Sequence, residues 1–226
     1  MVRVNRETVH PKSLIMNSEP RPTWLIGIDE VGRGPLAGPI TVAAVAVPFM
    51  EHEAWNMKQA FFAGIRDSKK LTVLQRQSWN KKIRKEILYT ISSVSCGVID
   101  KRGISYAARV AVARCLKKLS KTCFMFHDSC YVILDGGLAA PLEYKNQQTI
   151  IKGDEKVPVI AAASIIAKVH RDRYMTRLYK KYPLYGFEKH KGYGTKMHTE
   201  AILKNGLSEI HRKSFCKNLH YINKVV

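Results

Sequence analysis

The chain has 226 residues, 46% hydrophobic and 25% charged, a composition that excludes wholesale disorder and suits one large domain. Lys and Arg total 38 against 18 Asp and Glu, a formal net charge of +20, which points to a polyanionic partner, nucleic acid before an anionic membrane surface. No stretch is apolar for long enough to span a membrane, the first residues lack a secretory core, and five cysteines without a C-x-x-C pair fit reduced thiols, so a cytoplasmic location is expected.

In chain order, residues 1–22 are polar, carry Pro11, Pro20 and Pro22, and read as a basic N-terminal arm. A strand is expected over Thr23–Asp29, running into a glycine-punctuated turn from Gly32 to Gly38, and a second over Ile40–Val47. Residues 49–72 show no regular period. Leu74–Tyr89 predicts a basic amphipathic helix, with Lys81, Lys82, Arg84 and Lys85 on its solvated side. A third strand over Ile91–Ile99 and an Ala-rich helix over Ile104–Leu119 follow. Tyr131–Asp135 reads as a short buried strand ending at Gly136-Gly137, and Gln148–Lys152 as another. Pro158–Tyr179 predicts a long helix with Pro in the first turn, where its missing N–H costs nothing, and Thr195–Asn205 a helix stopped by Gly206. Strands early with helices between and after give a mixed α/β domain over 23–216, followed by a tail over 217–226.

In so basic a chain the placement of acids is informative. Asp29 and Glu30 sit where the first expected strand runs into its glycine turn, and Asp135 and Asp154 each stand next to a glycine near the end of an expected strand. Strand ends are where sites assemble in open α/β sheets. Carboxylates drawn together repel unless cations lie between them, and oxygen-only ligands suit Mg²⁺ or Mn²⁺. Two such ions roughly 4 Å apart can drive in-line attack on a phosphodiester. The alternative is ordinary turn chemistry, which also places Asp before Gly. Adjacent strand residues face opposite ways, so the strand is expected to break near Glu30 if both acids are to serve one site.

The run Asp29-Glu30-Val31-Gly32-Arg33-Gly34-Pro35-Leu36-Ala37-Gly38-Pro39 is too specific for composition. It resembles the signature of the ribonuclease HII family. Further blocks agree in order: Asp67-Ser68-Lys69-Lys70-Leu71-Thr72; Leu134-Asp135-Gly136; Lys152-Gly153-Asp154 with Ala161 to Val169 and Arg171-Asp172; Tyr185-Gly186-Phe187; His190-Lys191-Gly192-Tyr193-Gly194-Thr195; and His211-Arg212-Lys213-Ser214-Phe215. The resemblance covers roughly residues 24 to 216.

The resemblance implies a ribonuclease H-like fold, a mixed five-stranded sheet flanked by helices with additional C-terminal helices. It implies hydrolysis of RNA in RNA–DNA hybrids and incision 5′ of single ribonucleotides in duplex DNA, as in primer and ribonucleotide removal, leaving 5′-phosphate and 3′-hydroxyl ends. The catalytic and metal-binding acids would be Asp29, Glu30, Asp135 and Asp154, holding two Mn²⁺ or Mg²⁺ ions. Gly32, Arg33 and Gly34 would read the ribonucleotide and its 2′-hydroxyl, and Tyr193 would pack on the sugar of the next deoxynucleotide. Backbone groups at the glycines could reach a 2′-hydroxyl, the feature that separates RNA from DNA, with no side chain in the way.

Ser68, Lys69 and Lys70, and Ser164 with Lys168 one helical turn on, are candidate phosphate contacts. Asp172 is either a fifth acid near the metals or a salt-bridge partner of Arg171, the second reading being preferred. His190, His198 and His211 are left outside the site. A non-catalytic hybrid-binding protein is the rival, with ribonuclease HIII and a membrane-surface protein set aside. A monomer is expected, and the sequence names no protein partner.

Overall fold

A computed structural model describes residues 23–48, 60–65, 68–123 and 129–217. The basic arm over 1–22, Asp67 and the tail beyond residue 217 lie outside the described residues. Five strands, β1 (Trp24–Val31), β2 (Ile40–Pro48), β3 (Leu88–Val94), β4 (Cys130–Asp135) and β5 (Gln147–Ile150), form one sheet in the order β3-β2-β1-β4-β5. β1–β2 and β2–β3 are antiparallel, whereas β1–β4 and β4–β5 are parallel. This is the expected mixed five-stranded sheet.

Helix α1 (Val73–Glu86) starts with a capping box between Thr72 and Gln75. It is shorter than its amphipathic pattern suggested, because Ile87 turns extended and β3 begins at Leu88. The expected strand Ile91–Ile99 overran its true end. The chain leaves β3 at Val94, and α2 (Cys96–Arg102) follows an extended Ser95 before Gly103 ends it at φ 84°. One apolar run thus served two elements, which periodicity alone does not separate. The Ala-rich helix α3 (Ile104–Cys123) ran one turn beyond its expected end.

Each sheet face buries a core. Ile26, Ile28, Val132 and Leu134 pack against α3, with Ala107, Ala111 and Leu116 fully buried. On the other face Leu25, Val45 and Ile133 meet α1 and the long helix α5 (Pro158–Lys181), which follows the single-turn α4 (Gly153–Lys156). Burial of each such aliphatic side chain is worth about 1.5–3 kcal/mol.

α5 lies close on β1 because neither side carries bulk at the crossing. Ala161, Ala162 and Ala163 are buried, and a Cβ on Gly27 would lie 2.5 Å from the Val159 carbonyl carbon. Gly27→Ala has no flexible side chain to displace and must push α5 off the sheet. We expect it to cost about 3 kcal/mol, at the upper end of overpacking, read as a fall in the urea unfolding midpoint; an unchanged midpoint would contradict this packing.

A third cluster, Ala37, Met175, Tyr185, Phe187 and Ile202, joins the end of α5 to α6 (Phe187–His190) and α7 (Lys196–Asn205). These are the expected C-terminal helices. The segments that join and follow them grip the glycine turn through its backbone: Leu36 N–H donates to Gly192 O at 2.8 Å, Gly38 N–H to Ile210 O at 2.9 Å, and Arg212 N–H to Leu36 O at 2.7 Å. Among the described residues no helix is long and apolar enough to cross a membrane.

Candidate active site

The parallel register places the first two acidic segments together. Ile28 pairs with Leu134, the last β1–β4 pair, so Asp29 and Asp135 are the next residues on neighbouring strands. Both alternate onto the α5 face. Strand β1 does not break at Glu30, contrary to expectation; its pairing with β2 continues through Glu30↔Val42 to Val31↔Thr41. Convergence has another cause. Past Ile28 the β4 side of β1 is open, and a carboxylate oxygen of Glu30 still lies within 4.8 Å of those of Asp29 and Asp135. The longer Glu side chain reaches around that open edge.

The cluster is costly to ionise. Burial raises the Asp29 carboxyl well above its ordinary range, Glu30 and Asp135 add repulsion, and bonds from Ser164 and the Glu30 N–H oppose it. Glu30 is also raised, first by burial, against the opposing Arg33 guanidinium. Arg33 Nε donates to Glu30 Oε1 at 3.0 Å, while Glu30 Oε2 is buried with no hydrogen-bond partner among the described residues. Three carboxylates held together, two resisting ionisation and one with an orphaned oxygen, fit a hard divalent cation.

Asp154, the fourth expected acid, is buried but stands outside the 4.8 Å group. It sits in α4 with Lys69 Nζ 3.6 Å from its Oδ2. Its neighbour Gly153 reaches the cluster through the backbone, donating N–H to Asp135 Oδ1 at 2.6 Å. Lys70 likewise pairs with Glu155 at 2.7 Å, so both lysines expected at phosphate span from their loop to α4.

Ser68 and Ser164, expected on phosphate, are 2% and 5% exposed and bond each other at 2.8 Å. Ser164 also hydrogen-bonds Asp29. Helical spacing put Ser164 and Lys168 on one face correctly, but that face starts under the acids before it emerges. Lys168 emerges, and it is Lys168, not Arg171, that pairs with Asp172, at 3.0 Å. Arg171 is fully buried and donates instead to Pro39 O, Lys191 O and Ala37 O at 3.1, 3.0 and 3.1 Å.

Sequence reasoning missed what holds the glycine turn. Arg212, also fully buried, donates to Gly38 O, Arg33 O and Gly32 O at 3.0, 2.9 and 2.6 Å. A trans peptide points its N–H opposite to its C=O. With the Gly32 and Arg33 carbonyls turned to Arg212, the N–H groups of Arg33 and Gly34 point away from it. Gly32 itself has φ 91°, and a Cβ there would lie 2.3 Å from Arg171 Nε.

Tyr193 is 40% exposed, its ring 6.0 Å from Lys168 Nζ and 5.8 Å from the Arg171 guanidinium carbon. Its backbone is fixed by histidines. Ser208 N–H donates to His211 Nδ1 at 2.9 Å, so the His211 proton sits on Nε2 and is given to His198 Nε2 at 3.1 Å. The His198 proton then lies on Nδ1, which donates to Tyr193 O at 2.9 Å. Burial pushes both rings down to about 4, so they are neutral at pH 7. His198 and His211 thus form a neutral chain that holds the Tyr193 backbone, and His190 Nε2 lies 2.7 Å from Tyr185 O; the sequence had no signal for this chain.

The ribonuclease HII family profile matches residues 26–223. A ribonuclease HII of Caldicellulosiruptor bescii is 44% identical over 197 residues, covering 87% of this chain and 88% of that one. One of Bacillus anthracis is 45% identical over 204 residues, 89% of this chain and 72% of that one. Among solved structures, a chain from the PCNA:RNase HII complex of Archaeoglobus fulgidus superposes with a TM-score of 0.61 at 28% identity, covering 83% of this chain and 93% of that one. A Bst-RNase HIII in complex with Mn²⁺ gives a TM-score of 0.69 at 20% identity, over 90% of this chain and 71% of that one, a likeness of fold.

Proposed function

The chain belongs to the ribonuclease HII family and is a ribonuclease H that hydrolyses the RNA strand of RNA–DNA hybrids, and from that premise we propose that it also cuts duplex DNA 5′ of a single ribonucleotide. The observation that carries this reading is the adjacency of three converged carboxylates to a turn whose Arg33 and Gly34 N–H groups face outward.

Asp29, Glu30 and Asp135, with Asp154 as the fourth acid, would hold two Mn²⁺ or Mg²⁺ ions, which would supply water of lowered pKa and charge stabilisation at the phosphate. Ser164 and the Gly153 N–H keep Asp29 and Asp135 turned toward the cluster. Outward N–H groups of the turn and the Arg33 side chain read the 2′-hydroxyl, and Tyr193 packs on the following deoxyribose. Lys168, Lys69 and Lys70 neutralise flanking phosphates.

Water attacks phosphorus, the P–O3′ bond of the preceding nucleotide breaks, and O3′ takes a proton. The products are a 3′-hydroxyl and a 5′-phosphate on the ribonucleotide. The 2′-hydroxyl being read lies on the far side of that sugar from the broken bond, so it serves recognition, not attack.

The test compares a hybrid, a DNA duplex with one ribonucleotide and plain DNA, each with Mg²⁺, Mn²⁺ and chelator, with end groups mapped. Metal-dependent incision 5′ of the single ribonucleotide is expected. Binding without cleavage under every condition would favour a hybrid-binding protein. Tyr193→Ala should lower kcat/KM on the single-ribonucleotide duplex about tenfold, the worth of one well-packed ring, and affect long hybrids less. An equal loss on both substrates would remove the junction-sensing role.

A further inference from the structure

Beside the acids, a second surface faces outward with the opposite charge. A groove of about 890 Å³ lies between α1 and α5. Its walls carry seven cationic side chains, among them Arg76, Arg84, Arg173, Arg177 and Lys189, and a single carboxylate, Asp172. Asp172 is taken by Lys168, and Arg84, Arg173, Arg177 and Lys189 have no carboxylate partner among the described residues. A shallower trough continues from Arg84 and Arg173 to Lys81 and Lys85. Arg84, Lys81 and Lys85 of α1, expected on a plain solvated face, therefore line a surface shared with the basic face of α5.

His170, half-buried on the groove's wall, is pushed down first by burial and then by Arg177, Arg84, Arg173 and Lys118. Like charges held together without acids raise the free energy of the empty surface, and a polyanion relieves it. The groove is also continuous with the active site. Lys168 lies on its wall and near the Tyr193 ring, and Lys191, another wall residue, is tied by its carbonyl to Arg171.

We propose that the α1–α5 groove is a phosphate-binding track for one flank of the duplex, beyond the nucleotides held at the acids and Tyr193. From Lys168 to Arg177 the helix advances about 13 Å, matching roughly four nucleotide steps of a strand. This inference rests on the nuclease reading of the acid cluster, but duplex binding without cleavage can test it separately.

The variant is Arg173→Ala with Arg177→Ala, both exposed on α5 and outside the acid cluster and the turn. Duplex binding is measured by fluorescence anisotropy in chelator across a salt series, with a long hybrid and two hybrids cut back by about four base pairs on one side or the other. Loss of two phosphate contacts should lower the slope of log K against log salt by about 1.4–1.8 and weaken binding several-fold near physiological salt. One of the trimmed hybrids should bind parent and variant alike, because the flank that uses the groove is gone. In a metal-containing assay on the long hybrid, KM should rise while kcat stays within about twofold, since the groove binds substrate and transition state equally.

A variant with the parent's salt slope and affinity on the long hybrid overturns the proposal, as does a deficit that persists on both trimmed hybrids. A parent that binds hybrid but never cleaves it would instead defeat the nuclease reading and leave the groove result standing.

Discussion

Asp135→Asn is expected to reduce cleavage of an RNA–DNA hybrid by about 10³-fold or more, because the loss of metal-derived charge stabilisation is worth several kcal/mol, about 4 for three decades. The substitution keeps the shape of the side chain, and its amide oxygen can still accept the Gly153 N–H that now bonds Oδ1 at 2.6 Å. Duplex affinity in chelator should therefore stay near that of the parent. Stability should move the other way. Asp29 and Glu30 have raised carboxyl pKa values, with burial the first cause and Asp135 a further one.

A carboxyl whose folded pKa is raised binds its proton more tightly when folded than when unfolded. That stabilisation is complete below the unfolded value, near 4, and is lost as pH rises through the folded value. At neutral pH the metal-free parent therefore bears the repulsion, and the Asn variant bears less of it. Each kcal/mol relieved raises Tm by about 2–4 °C in a chain of this size. The metal-free variant should melt above the metal-free parent, and Mg²⁺ or Mn²⁺ should stabilise the parent more than the variant. Parental turnover in Asp135→Asn would remove the acid cluster from catalysis.

The acids were legible because residue type, glycines at strand ends and the resemblance agreed on Asp29, Glu30, Asp135 and Asp154; the parallel β1–β4 register brings Asp29 and Asp135 together, Glu30 joins them, and Asp154 stands outside that group. The route of Glu30 was not legible. Alternation predicted a broken strand, whereas the strand stays paired to β2 and only its β4 side opens. Ser68 and Ser164 show a second limit: helical spacing tells which residues share a face but not how much of that face is covered. Asp172 shows a third, since adjacency to Arg171 counted for less than the turn of helix that joins it to Lys168. Arg171 and Arg212 were the least legible of all. Arginine is almost never buried unless paired, and their partners here are carbonyl groups more than 100 residues away in sequence, apart from Lys191.

That same pair of arginines carries the second large expected effect. Arg212→Ala should destabilise the fold by about 3–5 kcal/mol, the usual cost of removing one side of a buried charged hydrogen-bond group. At about 2–4 °C per kcal/mol, Tm should fall by roughly 10 °C. Three carbonyls of the glycine turn lose their donor at once, and Arg171 cannot replace it because its own three bonds go to Pro39, Ala37 and Lys191. Burial and the neighbouring Arg171 charge push the Arg212 guanidinium down to about 10, still protonated at neutral pH, so the carbonyl dipoles act as its counter-charge. Arg212→Lys keeps the charge but not the planar fork, and one ammonium cannot cover the same three oxygens in that geometry, so it should recover only part of the loss. Function separates positioning from stability. At a temperature where all three proteins are folded, the freed Gly32 and Arg33 carbonyls no longer fix the outward N–H groups of Arg33 and Gly34. Discrimination between a single-ribonucleotide duplex and plain DNA should then narrow in the order parent, Lys, Ala. Parental discrimination in folded Arg212→Ala would mean that the turn keeps its shape without this side chain.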